Sequence, residues 1–157
     1  KDMFVLQEPS VSLTRALKKM QNLEAQSYTP LALALDKVLR MIKVESIKAK
    51  DNIPVIIICS DMGANISARY PDMEAKTVAD FAIITEELRV LSKKIGQKKI
   101  KTIIMNPKKA YASRYLCIYP QAANEIIDDM KKYAGAEVFE FEIKNPSDTI
   151  IRLKRML

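Results

Sequence analysis

The chain reads as an α/β protein with a small, mainly parallel sheet and an N-terminal helical extension. Three observations carry this reading. Val55 to Ile58 is an unbroken β-branched run, too short for a helix and too apolar for a half-exposed strand, so it reads as a strand buried on both faces. Residues 1–50 ahead of it carry helical spacing, and the chain behind it alternates helical and strand patterns. The sequence therefore divides into a helical segment over 1–50 and an α/β part over 51–157, taken together as one structural unit.

Each element has a local cause. Met3 to Leu6 fits a short strand or an extended arm. A helix is predicted from Ser10 to Gln26, capped by Ser10 or Ser12, with Leu13, Leu17 and Met20 on one face and Arg15, Lys18 and Lys19 on the others. Thr29-Pro30 is a start signal, a capping hydroxyl followed by a residue whose φ is already helical. The helix it opens runs to Lys48 with the stripe Leu31, Leu35, Val38, Leu39 and Ile42, either as a new helix or as the first one continued through a kink. Lys48 to Asn52 is a polar linker. The strand from Val55 ends in Ser60, Asp61, Gly63 and Asn65, all turn formers.

Tyr70-Pro71-Asp72 is read as opening a long helix with Thr77, Phe81, Ile84, Leu88, Leu91 and Ile95 on one face, and Gly96 as ending it. That face suits either a sheet or a partner helix. Ile100 to Met105 is the second strand, stopped by Asn106-Pro107. Lys108 to Tyr119 has no clear period. A helix from Pro120 to Gly135 follows, then a strand over Glu137 to Ile143 with one wet face, as at a sheet edge. Ser147-Asp148 caps a last helix with Ile150, Leu153 and Leu157 in a stripe. Helix-length connections between strands imply parallel neighbours and right-handed crossovers.

Composition narrows the chemistry. At 157 residues the chain can bury a real core without staples. It has no histidine, which removes the commonest general base and metal ligand along with any Ser-His-Asp or Cys-His device. Three glycines are too few for a phosphate cradle, so no cofactor is expected. Cys59 and Cys117 sit in apolar runs without metal-ligand spacing and read as a buried, reduced pair. No apolar stretch is long enough to span a bilayer. Lys1 in place of an initiator Met marks a processed chain or a fragment. The formal charge of +7 favours acidic partners: nucleic acid, an anionic membrane surface or an acidic protein.

Two groups of residues stand out as candidate sites. Ser60, Asp61, Gly63 and Asn65 lie at a strand's carboxyl end, where α/β proteins meet ligands. Asp61 could act as a base or metal ligand there and Asn65 could position a substrate, while the same residues serve equally as a turn or a helix cap. Lys98, Lys99, Lys101, Lys108 and Lys109, interleaved with Tyr111 and Tyr115, would suit phosphates and stacked bases, or simply a solvated face. The pairs Glu86-Glu87 and Asp128-Asp129 fall within helical patterns, where adjacent residues diverge by about 100°. They read as solvated.

One order of features is similar to a known family. The amphipathic stretch Leu13 to Gln21, then Tyr28-Thr29-Pro30 with the stripe Leu35 to Leu39, then a strand ending Cys59-Ser60-Asp61-Met62-Gly63, resembles the gamma subunit of F-type ATP synthases. In that family a long N-terminal coiled-coil helix leads into a small Rossmann-like domain whose first strand ends in a Ser-Asp-x-Gly turn. Where the family continues with a Gly-rich stretch before an Asn, only Ala64 separates Gly63 from Asn65 here. The resemblance implies a non-catalytic central-stalk subunit of a rotary ATPase, linked to ion transport. Its helices, through Leu13, Leu17, Met20, Leu31, Leu35 and Ile42, would face a ring of nucleotide-binding subunits. Arg15, Lys18 and Lys19 would meet acidic loops of that ring. The implied location is intracellular, in cytoplasm or an organelle matrix, with membrane association through the complex alone. A basic nucleic-acid-binding module and a small enzyme using Asp61 are the alternatives from other classes.

Overall fold

The computed structural model describes residues 28–48, 51, 53–72, 74–107 and 120–141, together with Ile151, Leu153 and Arg155. Its elements are α1 (Leu31–Lys48), β1 (Val55–Cys59), α2 (Val78–Gln97), β2 (Lys101–Pro107), α3 (Pro120–Ala134) and β3 (Glu137–Phe141). The strands form a parallel sheet in the order β1-β2-β3, with Ile57 opposite Ile103 and Met105 opposite Phe139. The α/β reading is what the chain adopts. The predicted helix over 10–26 and the stretch Lys108 to Tyr119 lie outside the described residues. Of the predicted terminal helix only Ile151, Leu153 and Arg155 are described, each helical.

Sequential parallel strands with right-handed crossovers send α2 and α3 to the same face of the sheet. One cluster accordingly unites Ile56, Ile58 and Ile104 with Phe81, Ile84, Leu88, Leu91 and Ile95 of α2 and Ile126, Ile127 and Met130 of α3. The stripe read from the sequence of α2 is the buried one. Leu31, Ala32, Leu35 and Leu39 of α1 join the same cluster, so α1 shares its core with the sheet.

Strand order changes what the apolar run of β1 means. Expected to be buried on both faces, β1 is at the edge of the described sheet: Ile56 and Ile58 point to the helices, while Val55 and Ile57 are 38% and 41% exposed on the other side. The strand closed on both faces is β2, where Thr102, Ile103, Ile104 and Met105 are all buried. The clean alternation expected in β3 is not seen: Val138 and Phe139 are both half-buried between exposed Glu137 and Glu140, and it is Val138 that packs against the helical cluster.

Helix ends also differ from the expectation, for identifiable reasons. α2 begins at Val78, not at Tyr70, because Thr77 and Asp80 form a reciprocal capping box: the Thr77 hydroxyl accepts from Asp80 N–H and the Asp80 carboxylate accepts from Thr77 N–H. Its end is closed by Lys99 in the left-handed region (φ 52), with Lys99 N–H donating to Gly96 O and Ile100 N–H to Ile95 O. Gly96 has another task. A Cβ there would run into the Tyr133 carbonyl oxygen, so the glycine is what lets α2 and α3 approach. Gly135, at φ 64, does terminate α3 as read from the sequence.

Across the same helix pair, Arg89 reaches three carboxylates: Nη1 to Glu86 at 2.6 Å, Nη2 to Glu125 at 2.7 Å and Nε to Asp129 at 2.8 Å. Asp129, expected to be solvated, is thus a tie between helices. Gly96→Ala should lower stability by about 2–3 kcal/mol through this interface, whereas Gly135→Ala, with open space around its Cβ, should cost only about 1 kcal/mol of backbone strain. Urea unfolding of the two variants reads the difference, and equal losses would contradict the close-approach role of Gly96.

Candidate functional site

The turn after β1 is built from its own side chains. Met62 N–H donates to Ser60 Oγ at 3.0 Å, and Gly63 N–H donates to Asp61 Oδ1 at 3.0 Å. Each short polar side chain therefore holds an amide two residues on, the arrangement that makes Ser and Asp turn formers. The left-handed position is taken by Met62 (φ 62), not by Gly63. A non-glycine residue there costs about 1–2 kcal/mol, and the compensation is visible: the Met62 side chain is 0% exposed. Beyond it Met62, Ala64 and Ile66 are buried in alternation, which pins the turn into the core.

Asn65 then joins three elements. Its Oδ1 accepts from Thr29 N–H at 2.7 Å, and its own N–H donates to Thr29 O at 3.3 Å. Its carbonyl accepts from Ala75 N–H at 2.8 Å, beside an antiparallel bridge between Ile66 and Glu74. Thr29 directly precedes Pro30 and α1, while Ala75 lies two residues before Thr77, the cap of α2. The predicted strand-end residues are thus brought together, and the oxygens of Ser60, Asp61 and Asn65 are directed at backbone amides.

A second carboxylate completes this loop. Glu87 of α2 is only 6% exposed, although the Glu86-Glu87 pair reads as solvated. Ser67 Oγ donates to its Oε1 at 2.8 Å, Ala68 N–H to Oε2 at 2.8 Å and Arg69 N–H to Oε1 at 3.2 Å, with Arg69 Nε at 3.7 Å. The Ser67 hydroxyl also accepts from the amides of Arg69 and Tyr70, both at 3.1 Å. A buried carboxylate tolerates its site only when its lone pairs are filled, as they are here. The sequence does hold a signal for Glu87: it lies three residues after Ile84 and four before Leu91, which puts it on the buried stripe.

The remaining candidates are scattered. Leu31 and Leu35, expected to face a partner, lie in the chain's own core, and Ile42 is half-buried against it. Ile42 does line an open groove of about 400 Å³ with Val38, Met41, Ile53 and Val55. Leu13, Arg15, Leu17, Lys18, Lys19 and Met20 lie outside the described residues, as do Lys108 and Lys109. Lys98, Lys99 and Lys101 stand at the amino end of β2, and the strand carries the chain about 20 Å from Lys101 to Pro107 before Lys108 follows. Cys59, expected to be buried, keeps an exposed side chain with its Sγ 3.6 Å from Met105 Sδ, and partial burial pushes its thiol up. Cys117 is outside the described residues.

Among the described residues, no three His, Cys, Asp or Glu side chains are grouped to hold a metal ion, and no helix is long and apolar enough to cross a membrane. The strand-end constellation is, in its geometry, a joint between α1, β1 and the approach to α2.

Glu87→Ala should leave the Ala68 amide and the buried Ser67 hydroxyl without their acceptor and lower stability by about 3 kcal/mol, with Glu87→Gln between it and the parent. Denaturant titration checks the order, and an unchanged Glu87→Ala midpoint would refute the anchoring role. Comparison of the chain with protein-family models, with curated proteins and with solved structures returns no match.

Proposed function

We infer that the protein is a non-catalytic, gamma-like central-stalk subunit of a rotary ATPase. Its helices would pass torque to or from a ring of nucleotide-binding subunits. The observation that carries this reading is the use made of the Ser60–Asn65 turn. The residues on which the family resemblance rests spend their hydrogen bonds on fastening a helix to a sheet: Thr29 N–H to Asn65 Oδ1 at 2.7 Å on one side and the Asp61–Gly63 turn on the other. A stalk needs such a joint, because torque carried along a helix is useful only if the helix cannot pivot freely on its globular domain.

In this reading the partners are ATPase ring subunits, the protein binds no cofactor of its own, and Arg15, Lys18 and Lys19 meet acidic loops as the shaft turns. Its place is the cytoplasm or an organelle matrix, at a membrane only through the complex. Ile42 stays available as a contact residue, whereas Leu31 and Leu35 anchor the shaft to its own domain.

Native purification from the source under gentle conditions, with mass spectrometry of the co-eluting proteins, tests the proposal. Nucleotide-binding ATPase subunits in a fixed ratio through two orthogonal columns are expected. Recovery without them would overturn the stalk assignment.

A further inference from the structure

The parallel topology gathers lysines that are far apart in sequence. Because α2 and α3 both run back against the strands, their carboxyl ends meet at the amino ends of β2 and β3. Lys93, Lys94, Lys98 and Lys99 arrive there from the end of α2, Lys101 from the start of β2, and Lys131 and Lys132 from the end of α3. Contacts on the structure tie them into one surface. Gly96 abuts the backbone of Tyr133, and the ammonium groups of Lys93 and Lys132 each lie 5.0 Å from the centre of the Tyr133 ring, one from each helix.

Compensation at this pole is sparse. Asp128 lies 3.6 Å from Lys131, and Glu137 lies 3.6 Å from Lys101. No carboxylate among the described residues pairs with Lys93, Lys94, Lys98, Lys99 or Lys132. Three of the described arginines are used differently: Arg40, Arg69 and Arg89 each face a carboxylate. Helix carboxyl ends favour cations, which accounts for part of the enrichment, yet Lys99 and Lys101 extend it past the helix.

We propose that this pole binds the phosphodiester backbone of a nucleic acid, independently of base sequence and independently of the stalk reading. Mobile ammonium groups are suited to phosphates, which need charge more than fixed geometry. Protein interfaces are depleted in lysine. Surface-bound membrane proteins add exposed apolar anchors to their basic charge; no large apolar side chain from Lys93 to Lys101 or from Lys131 to Glu137 is exposed, and the exposed Ile53 and Val55 at the neighbouring start of β1 line the groove shared with α1.

The test uses the full chain and a fluorescein-labelled 20-nucleotide single strand, read by anisotropy from 50 to 200 mM salt. A variant with Lys93→Gln, Lys94→Gln, Lys98→Gln and Lys99→Gln is compared with one of equal charge carrying Lys37→Gln, Lys43→Gln, Lys48→Gln and Lys76→Gln. These surface changes are checked for folding by circular dichroism. The pole variant should lose about 10-fold or more in affinity, and its log–log salt slope should flatten by about 2 to 3, while the control stays within about 3-fold of the parent. No binding by the parent at 50 mM salt would overturn the proposal, as would equal losses in both variants. Sedimentation with vesicles containing 30% anionic phospholipid provides the other arm. Tight vesicle binding that the pole variant loses, without a matching loss on the oligonucleotide, would reassign the surface to membranes.

Discussion

The reciprocal hydrogen bonding of Asn65 with Thr29 is the interaction on which the arrangement depends. A helix entering a domain leaves its first amides unsatisfied and its direction unspecified. Here the amide just ahead of Pro30 is satisfied by a side chain from the end of a strand, and the same asparagine returns its own N–H to the Thr29 carbonyl. That pairing fixes the start of α1, whose Leu31, Ala32, Leu35 and Leu39 pack into the core shared with the sheet. Apolar burial then supplies most of the free energy, as is general for helices in proteins, but burial alone is not directional. The polar pair selects one orientation among many greasy ones.

Around this joint the structure repeats one tactic: a side chain completes what the backbone cannot. Glu87 collects the amides and hydroxyl of the loop from Ser67 to Arg69, and Thr77 with Asp80 closes the start of α2. The capping carboxylate of Asp80 is held below its ordinary range by the amides of Lys76 and Thr77. A depressed folded-state value means that its contribution is present above the unfolded value of 3.8 and is lost as pH falls through the lower folded one. Arg89 performs the same service between α2 and α3. Together these contacts tie the loop after β1 to the start of α1 and to α2, and α2 to α3.

Much of this was legible in the sequence, and what was not has a common cause. Thr29-Pro30, the turn at Ser60 to Asn65, the stripe from Phe81 to Ile95 and the stop at Gly135 are local signals, decided by residues within a few positions of one another. The misread features depend on which elements become neighbours. The run at Val55 looks the same whether its strand is central or at an edge. Gly96 looks like a helix stop until Tyr133 is found against it, and Met62 hides its backbone conformation behind an apolar side chain that the core pulls inward. The lysine pole is invisible for the same reason, since Lys93 and Lys132 meet only through the topology. Glu87 is the exception: within the Glu86-Glu87 pair it reads as solvated, although its spacing from Ile84 and Leu91, a local signal, puts it on the buried stripe.

The central claim is that the strand-end turn works as a joint. Native-state hydrogen exchange on Asn65→Ala tests it most directly. If the account is right, the amides of α1 from Leu35 to Leu39 lose about 1–2 kcal/mol of protection as a group, while Ile103 to Met105 in β2 stay nearly unchanged. Loss confined to the turn itself, with α1 protected as in the parent, would contradict it.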